Sequence, residues 1–222
     1  MASVTVSTLL SRVRERADMV GSSFVTNTAN GLYAWLNEAN QKLHGMLVDA
    51  LGEEFVSSSS AFNTVVGTSD YAISGLYKLY GIDVLFQGNY WALQPYVRSE
   101  RNVYRNLSSS YEIPRYSLIG SSIRLYPVPS SVLPCTVLYA PEATVLTTGA
   151  DTVNYPNGWE RFIVIDTAIQ VLAKEESSVT TLTAERALII KEIELAKESR
   201  DLANPKRVVE TDLIDQFEVN LW

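Results

Sequence analysis

Gly158-Trp-Glu-Arg-Phe-Ile-Val-Ile-Asp-Thr-Ala-Ile-Gln-Val-Leu-Ala-Lys-Glu-Glu176, a short Ser/Thr break, then Thr183-Ala-Glu-Arg through Asp201-Leu-Ala-Asn-Pro205 is the stretch that decides the fold. It reads as two helices folded back on each other. In the first, Phe162, Ile163, Ile165, Ala168, Ile169, Val171 and Leu172 leave only Glu160, Arg161, Asp166 and Gln170 as a polar face, which predicts a largely buried helix. In the second, Leu182, Ile189, Ile190, Ile193 and Ala196 form one apolar stripe. Arg186, Lys191, Glu192, Glu194, Lys197, Glu198, Arg200 and Asp201 fill the remainder, so this helix lies on a core with its back to water. A pair such as Lys197 with Asp201 adds only a few tenths of a kcal/mol, so burial of the stripe decides. Asn204-Pro205 ends the helix, because a proline ring disfavours helical geometry in the residue before it.

Upstream, Val6, Leu9, Leu10, Val13, Ala17 and Val20 recur at helical spacing and predict a helix from Thr5 to Val20, with Thr5 or Ser7 as its N-cap. Gly21-Ser22-Ser23 breaks it. Thr26-Asn27-Thr28 offers capping side chains for a second helix of roughly 24 residues and about 36 Å, given a rise of about 1.5 Å per residue. Its stripe is Leu32, Trp35, Leu36, Ala39, Leu43, Met46, Leu47, Ala50 and Leu51, with Gly52 as C-cap.

Between Glu53 and Gly149 the periodicity becomes alternating, and Gly, Ser, Pro and Tyr become frequent. Tyr77 to Phe86 reads as a strand. Tyr116–Ile119 and Ile123–Tyr126 read as a hairpin around a three-residue Gly120-Ser121-Ser122 loop, stopped by Pro127 and Pro129. Cys135 to Ala140 supplies a third strand, giving a three-stranded antiparallel meander. The serine-rich stretches 57–60 and 108–110 read as surface loops. The fold class is therefore α+β: a bundle of about four helices with an antiparallel β-rich domain inserted between the second and third. The divisions are 1–52 and 151–205 for the helical core, 53–150 for the insertion and 206–222 for a C-terminal docking segment.

Composition bounds the chemistry. With 222 residues, 46% hydrophobic and 19% charged, the chain is long enough to bury roughly 70% of its unfolded surface without a staple. One cysteine, Cys135, and one histidine, His44, cannot assemble a Cys/His zinc site, and no acidic loop has the spacing of a calcium hand. No metal or cofactor is expected. Cys135 reads as a small buried apolar residue. His44, with no orienting partner in sequence, reads as structural rather than as a catalytic base. Met1-Ala-Ser-Val-Thr-Val-Ser7 lacks the basic and apolar regions of a signal peptide, and no run of about 18 apolar residues is present. The expectation is a protein made in a reducing cytoplasm, or in a particle assembled there, with no membrane partner.

The net charge of −7 argues against a grip on nucleic acid through phosphates. Arg98, Arg101 and Arg105, interleaved with Tyr96 and Tyr104, form the nearest basic stripe, read as an exposed helix face or subunit contact. No nucleophile-elbow, P-loop, Rossmann or metalloprotease motif occurs. The adjacent pairs Glu53-Glu54 and Glu175-Glu176 point in different directions on a helix instead of facing each other across a cleft, so no catalytic residue is assigned. After Pro205, Val208, Val209, Leu213, Ile214, Phe217, Leu221 and Trp222 lie among acidic residues, too few to bury themselves. They read as a segment that docks on another subunit, or else folds back on its own bundle.

The order of four phrases carries a resemblance: Ser23-Phe-Val-Thr before the helix with Trp35-Leu-Asn-Glu-Ala; Ser69-Asp-Tyr; Tyr116-Ser-Leu-Ile-Gly-Ser-Ser-Ile-Arg-Leu-Tyr-Pro-Val-Pro; and Gly158-Trp-Glu through Arg200-Asp-Leu-Ala-Asn-Pro. In this the chain resembles the head-to-tail adaptor, or connector, proteins of tailed bacteriophages. The resemblance implies a structural, non-enzymatic virion protein at the head–tail interface. It implies a dodecameric ring under the portal protein that joins a downstream tail or nozzle protein and lets DNA pass without specific binding. An acidic balance suits such a channel, since a basic lining would hold the phosphates. Two other readings stand beside it: a virion-associated peptidoglycan-cleaving protein, and an acidic structural tail protein not bound directly to the portal. A DNA-binding regulator is disfavoured by the charge and by a linker longer than a helix-turn-helix allows.

Overall fold

The densest apolar run of the chain forms its innermost helix. The structure, a computed structural model, describes residues 3–21, 25–97, 99, 102–103 and 113–199. Four helices build the bundle: α1 (Val6–Arg16), α2 (Leu32–Leu51), α3 (Arg161–Lys174) and α4 (Thr180–Ser199). Helix α3 packs against α1, α2 and α4 at once, which is why Phe162, Ile163, Val164, Ile165, Ala168 and Val171 are all buried. At about 1.5–3 kcal/mol for each large side chain removed from water, this helix and α2, which buries Leu32, Leu36, Leu43, Leu47, Val48 and Leu51, contribute most to bundle stability. Helix α4 presents Leu182, Ile189 and Ile193 to the same core, as its stripe predicts.

Several boundaries shift from the sequence expectation. Thr5 is the N-cap of α1, its hydroxyl accepting from the Thr8 N–H at 3.3 Å. The helix stops at Arg16, so Val20 is 75% exposed while Ala17 and Met19 stay buried. Helix α2 begins at Leu32 rather than near Thr28, because the Leu32 N–H is already taken by the Thr26 carbonyl in a turn and Gly31, not a threonine side chain, occupies the cap. Its end is as expected: Gly52 adopts φ +57°, where any side chain would be strained. The ends of α4 near Asn204-Pro205, the Lys197–Asp201 pair and the serines 108–110 fall outside what is described.

The inserted region holds two antiparallel sheets rather than a meander. Strands β2 (Ser58–Asn63), β8 (Pro134–Pro141), β4 (Leu76–Phe86) and β5 (Asn89–Ala92) form a four-stranded sheet in that order; β3 (Asp70–Ala72), β7 (Ser122–Tyr126) and β6 (Arg115–Ile119) form a three-stranded one. The hairpin β6–β7 is present, with a two-residue loop, since Ile119 pairs Ser122 and Gly120 takes φ +60°. Strand β8 does not continue it. After Pro127 and Pro129 the chain crosses to the other sheet, where Cys135 and Val137 point inward beside Ile82 and Val84 of β4. Both sheets enclose one core, with Ile123 and Leu125 from β7 facing Cys135 and Val137 from β8. Ser58–Ser60, expected as loop, are strand, because β8 supplies a full antiparallel partner for them. A last pair of two-residue strands, β1 (Val4–Thr5) and β9 (Thr152–Val153), ties the start of the chain to the approach of α3.

Candidate interaction surfaces

The docking segment expected at Val208, Val209, Leu213, Ile214, Phe217 and Trp222 lies outside the described residues, as do Arg98, Arg101, Tyr104 and Arg105. The described residues define the seating of the β region on the bundle and the surface it presents.

One side of α2 carries Asn37, Asn40 and His44 at spacings of three and four, which places them in a row. All three hold the main chain that returns from β8 to the bundle. Asn37 donates to the Leu146 carbonyl at 2.8 Å and accepts from the Leu146 N–H at 2.7 Å. Asn40 donates to the Thr144 carbonyl at 2.9 Å and accepts from the Tyr155 hydroxyl. His44 Nε2 lies 2.9 Å from the Pro141 carbonyl; a carbonyl only accepts, so the proton sits on Nε2. The imidazole is flanked edge-on by Phe55 and Tyr77. A Cβ on Gly45 would fall 2.9 Å from the Tyr77 hydroxyl, so a larger residue there would push the Tyr77 ring aside. Lys78 with Asp49, and the Tyr80 hydroxyl on the Val56 carbonyl, extend the seam. His44 is thus structural, as its isolation in sequence suggested. A shallow pocket of about 340 Å³ beside it is lined by Gln41, His44, Tyr77, Glu142, Ala143 and Val145. Its one imidazole is already committed to a carbonyl, which suits packing rather than proton transfer.

Asp166, Asp151 and Cys135 likewise have structural surroundings. Asp166, read from sequence as part of a wet face, is only 2% exposed. Its Oδ1 accepts from Arg186 of α4 at 2.7 Å, and its Oδ2 from Lys42 of α2 at 3.1 Å and Gln170 at 3.4 Å, so one carboxylate pins three helices. Asp151 accepts from the N–H groups of Thr147 and Thr148 and from their hydroxyls, which holds its carboxyl down to about 2. The same turn closes α1: Val6 and Ser7 donate their N–H groups to the carbonyls of Asp151 and Gly149. Burial pushes the Cys135 thiol up to about 11, the behaviour of an inert core cysteine. Among the described residues no cluster of three metal-ligating side chains occurs, and no helix is long and apolar enough to cross a membrane.

The surface that stands out is the four-stranded sheet and its far loops. The β2–β3 turn and the β7–β8 loop are held together by Gly67 N–H to the Pro129 carbonyl at 3.0 Å and by Thr64, which bonds Ser131 and Leu133. They display Val65, Val66, Val128 and Val132, all exposed. The β4–β5 hairpin turns through Gln87 and Gly88, both with positive φ, and carries Tyr90 at 75% and Trp91 at 51% exposure. The sequence carries a signal for this surface: residues 55–69, 84–97 and 125–141 contain no charged side chain. In a chain that is 19% charged, three such runs meet in one sheet and its far loops and leave an uncharged surface there. On the bundle, α4 adds exposed Leu188 and Leu195, seven residues apart on its outer side.

A family model described as SU10 adaptor protein matches residues 4–209, nearly the whole chain. No curated protein matches it.

Proposed function

The chain belongs to the SU10 adaptor protein family, structural adaptors of bacteriophages, and from that premise we propose that it assembles as a ring beneath the portal, joins head to tail and continues the DNA channel. The observation that carries this reading is the match over residues 4–209, which takes in both the bundle and the inserted sheets. Supporting it, the convergent polar groups around Asp166, at Asp151 and along α2 are spent on holding helices and main chain rather than left open to a substrate. In this reading 1–52 with 151–205 form the body of each subunit and 53–150 the appendage. The ring holds twelve copies, and the residues after Pro205 dock on the portal or on a neighbouring adaptor through Val208, Val209, Leu213, Ile214, Phe217 and Trp222. Acidic side chains outnumber basic ones ten to six in residues 151–205, which supports a lumen lined from the second half of the bundle, where DNA slides without being held.

Electron microscopy of the full chain mixed with a portal ring tests the proposal. A second ring stacked coaxially on one face of the portal is the expected result, lost when residues after Pro205 are deleted. A protein indifferent to the portal would sink the reading, and a ring with a basic lumen would remove the channel argument alone.

A further inference from the structure

The two sheets treat their edges differently. In the three-stranded sheet, β6 is covered: Tyr96 donates to the Tyr116 carbonyl, and the Tyr116 N–H donates to Gln94. Its other edge, β3, is three residues long and carries Asp70 in an ion pair with Arg124. Short length, a charge and a covering segment are the usual defences against unwanted strand pairing. Strand β6 takes up Gln94 and Tyr96 just past β5 but leaves β5 itself uncovered; among the described residues the two outer strands of the four-stranded sheet carry no charge and no covering segment. Its outer strands, Ser58-Ser-Ser-Ala-Phe-Asn63 and Asn89-Tyr-Trp-Ala92, contain no charge, no proline and no register shift.

Their free main-chain groups can be assigned. Thr64 N–H bonds the Leu133 carbonyl on the β8 side, and Leu93 N–H bonds the Ile82 carbonyl on the β4 side. Because main-chain groups in an antiparallel ladder alternate sides, Ser59, Ala61 and Asn63 of β2 and Tyr90 and Ala92 of β5 direct their N–H and C=O groups outward. Among the described residues nothing pairs with them.

We propose that β5 of one copy pairs with β2 of the next, so that the four-stranded sheet continues antiparallel from subunit to subunit. The occupant is a second copy for two reasons. The sheet is antiparallel throughout and has an even number of strands, so its first and last strands run oppositely, and a neighbour in the same orientation continues the alternation unbroken. Copies that each carry a net charge of −7 repel, and a contact between charge-free strands is where that repulsion is least. The contact joins two different surfaces, so it closes into a ring or runs on as a filament. Tyr90 and Trp91, exposed in one copy, are the residue types that anchor such a contact. The proposal rests on the reading above that copies assemble; the edges it uses are its own addition.

Cysteine coupling in the full chain tests it. In the double variant Ser59→Cys with Asn89→Cys, a short bismaleimide joins copies at β2 and β5, while native Cys135 is buried and slow to react. The expected result is a ladder of trimers and larger species on a denaturing gel from the double variant and monomer from each single variant. Ala92→Pro, which removes an outward N–H and spares the β4 ladder, should lower the native mass without changing far-ultraviolet circular dichroism. Dimers from either single variant overturn the head-to-tail pairing. Native oligomers that give no ladder also overturn it, while leaving the ring reading intact. A chain that remains monomeric at every concentration, alone and with portal, overturns both.

Discussion

The bundle and the four-stranded sheet differ in where they keep their polar groups. The bundle places charge on its outside and one carboxylate, Asp166, at its centre, where donors from α2, α3 and α4 surround it. The four-stranded sheet has its core on one side and, around β5 and the far loops, an uncharged surface with Val65, Val66, Tyr90, Trp91 and Val132 exposed. A buried ion cluster is weak as a source of stability but strict about geometry. An uncharged exposed sheet is tolerant as a monomer and specific only when something covers it. The bundle is thus the part that must be built one way, and on the pairing proposed above the sheet is the part that a neighbouring copy completes.

The sharpest way to break this contrast is at Asp166. Replacing both cations, Lys42→Met with Arg186→Met, strands a 2%-exposed carboxylate with Gln170 alone, and about 3–5 kcal/mol should be lost in urea unfolding. Asp166→Leu should cost clearly less, since Lys42 and Arg186 are 53% and 34% exposed and can turn to water. Equal losses would mean that the cluster is not organised by burial of the acid. Next comes the row on α2. Asn37→Ala leaves both main-chain groups of Leu146 unpaired and should cost about 1–3 kcal/mol, with faster hydrogen exchange at Leu146 while the sheet amides stay protected. Protection lost throughout both sheets would show that seam and sheets are one cooperative unit.

Acid sharpens the comparison further. The Asp151 carboxyl sits below its usual value because Thr147 and Thr148 donate to its charged form. Its contribution is therefore complete above about pH 4 and is lost as the pH falls toward about 2. Wild-type thermal stability should decline across that window, and Asp151→Asn should flatten the decline; an unchanged slope would place the acid sensitivity elsewhere. The smallest effect belongs to the sheet. Tyr90→Ser with Trp91→Ser should change monomer stability by no more than about 0.5 kcal/mol per site while reducing assembled mass. A large loss of monomer stability would show that these rings are packed, not waiting.

The helices were legible because their apolar residues recur locally: α3 is read from Phe162 to Leu172 without reference to anything distant. Asp166 was not, since its partners Lys42 and Arg186 come from other helices and an acid in a helix reads as a wet position. The row Asn37, Asn40, His44 has helical spacing, but polar residues on one side of a helix look like solvent-facing positions until a main chain is seen against them. Strand existence was legible at Leu76–Phe86 and in the β6–β7 hairpin, where pairing is local. The neighbours of β8 were not, because Val137 pairs with Ser60 and Ile82 across long stretches of chain and alternation names a strand without naming its partner. Serine's preference for loops hid β2. The charge-free runs were in plain view and become meaningful only when the topology brings them together.

The tie between Val6 and Asp151, with β1 paired to β9, also orders events during synthesis. Helices α1 and α2 leave the ribosome about a hundred residues ahead of α3, a delay on the order of ten seconds at ordinary elongation rates. During that interval Leu9, Leu36, Leu43 and Leu47 lack the helix they will enclose, and both sheets become complete in sequence at Pro141, before Arg161 opens α3. The nascent chain therefore matures from its middle outward, and the bundle closes only when its last two helices arrive.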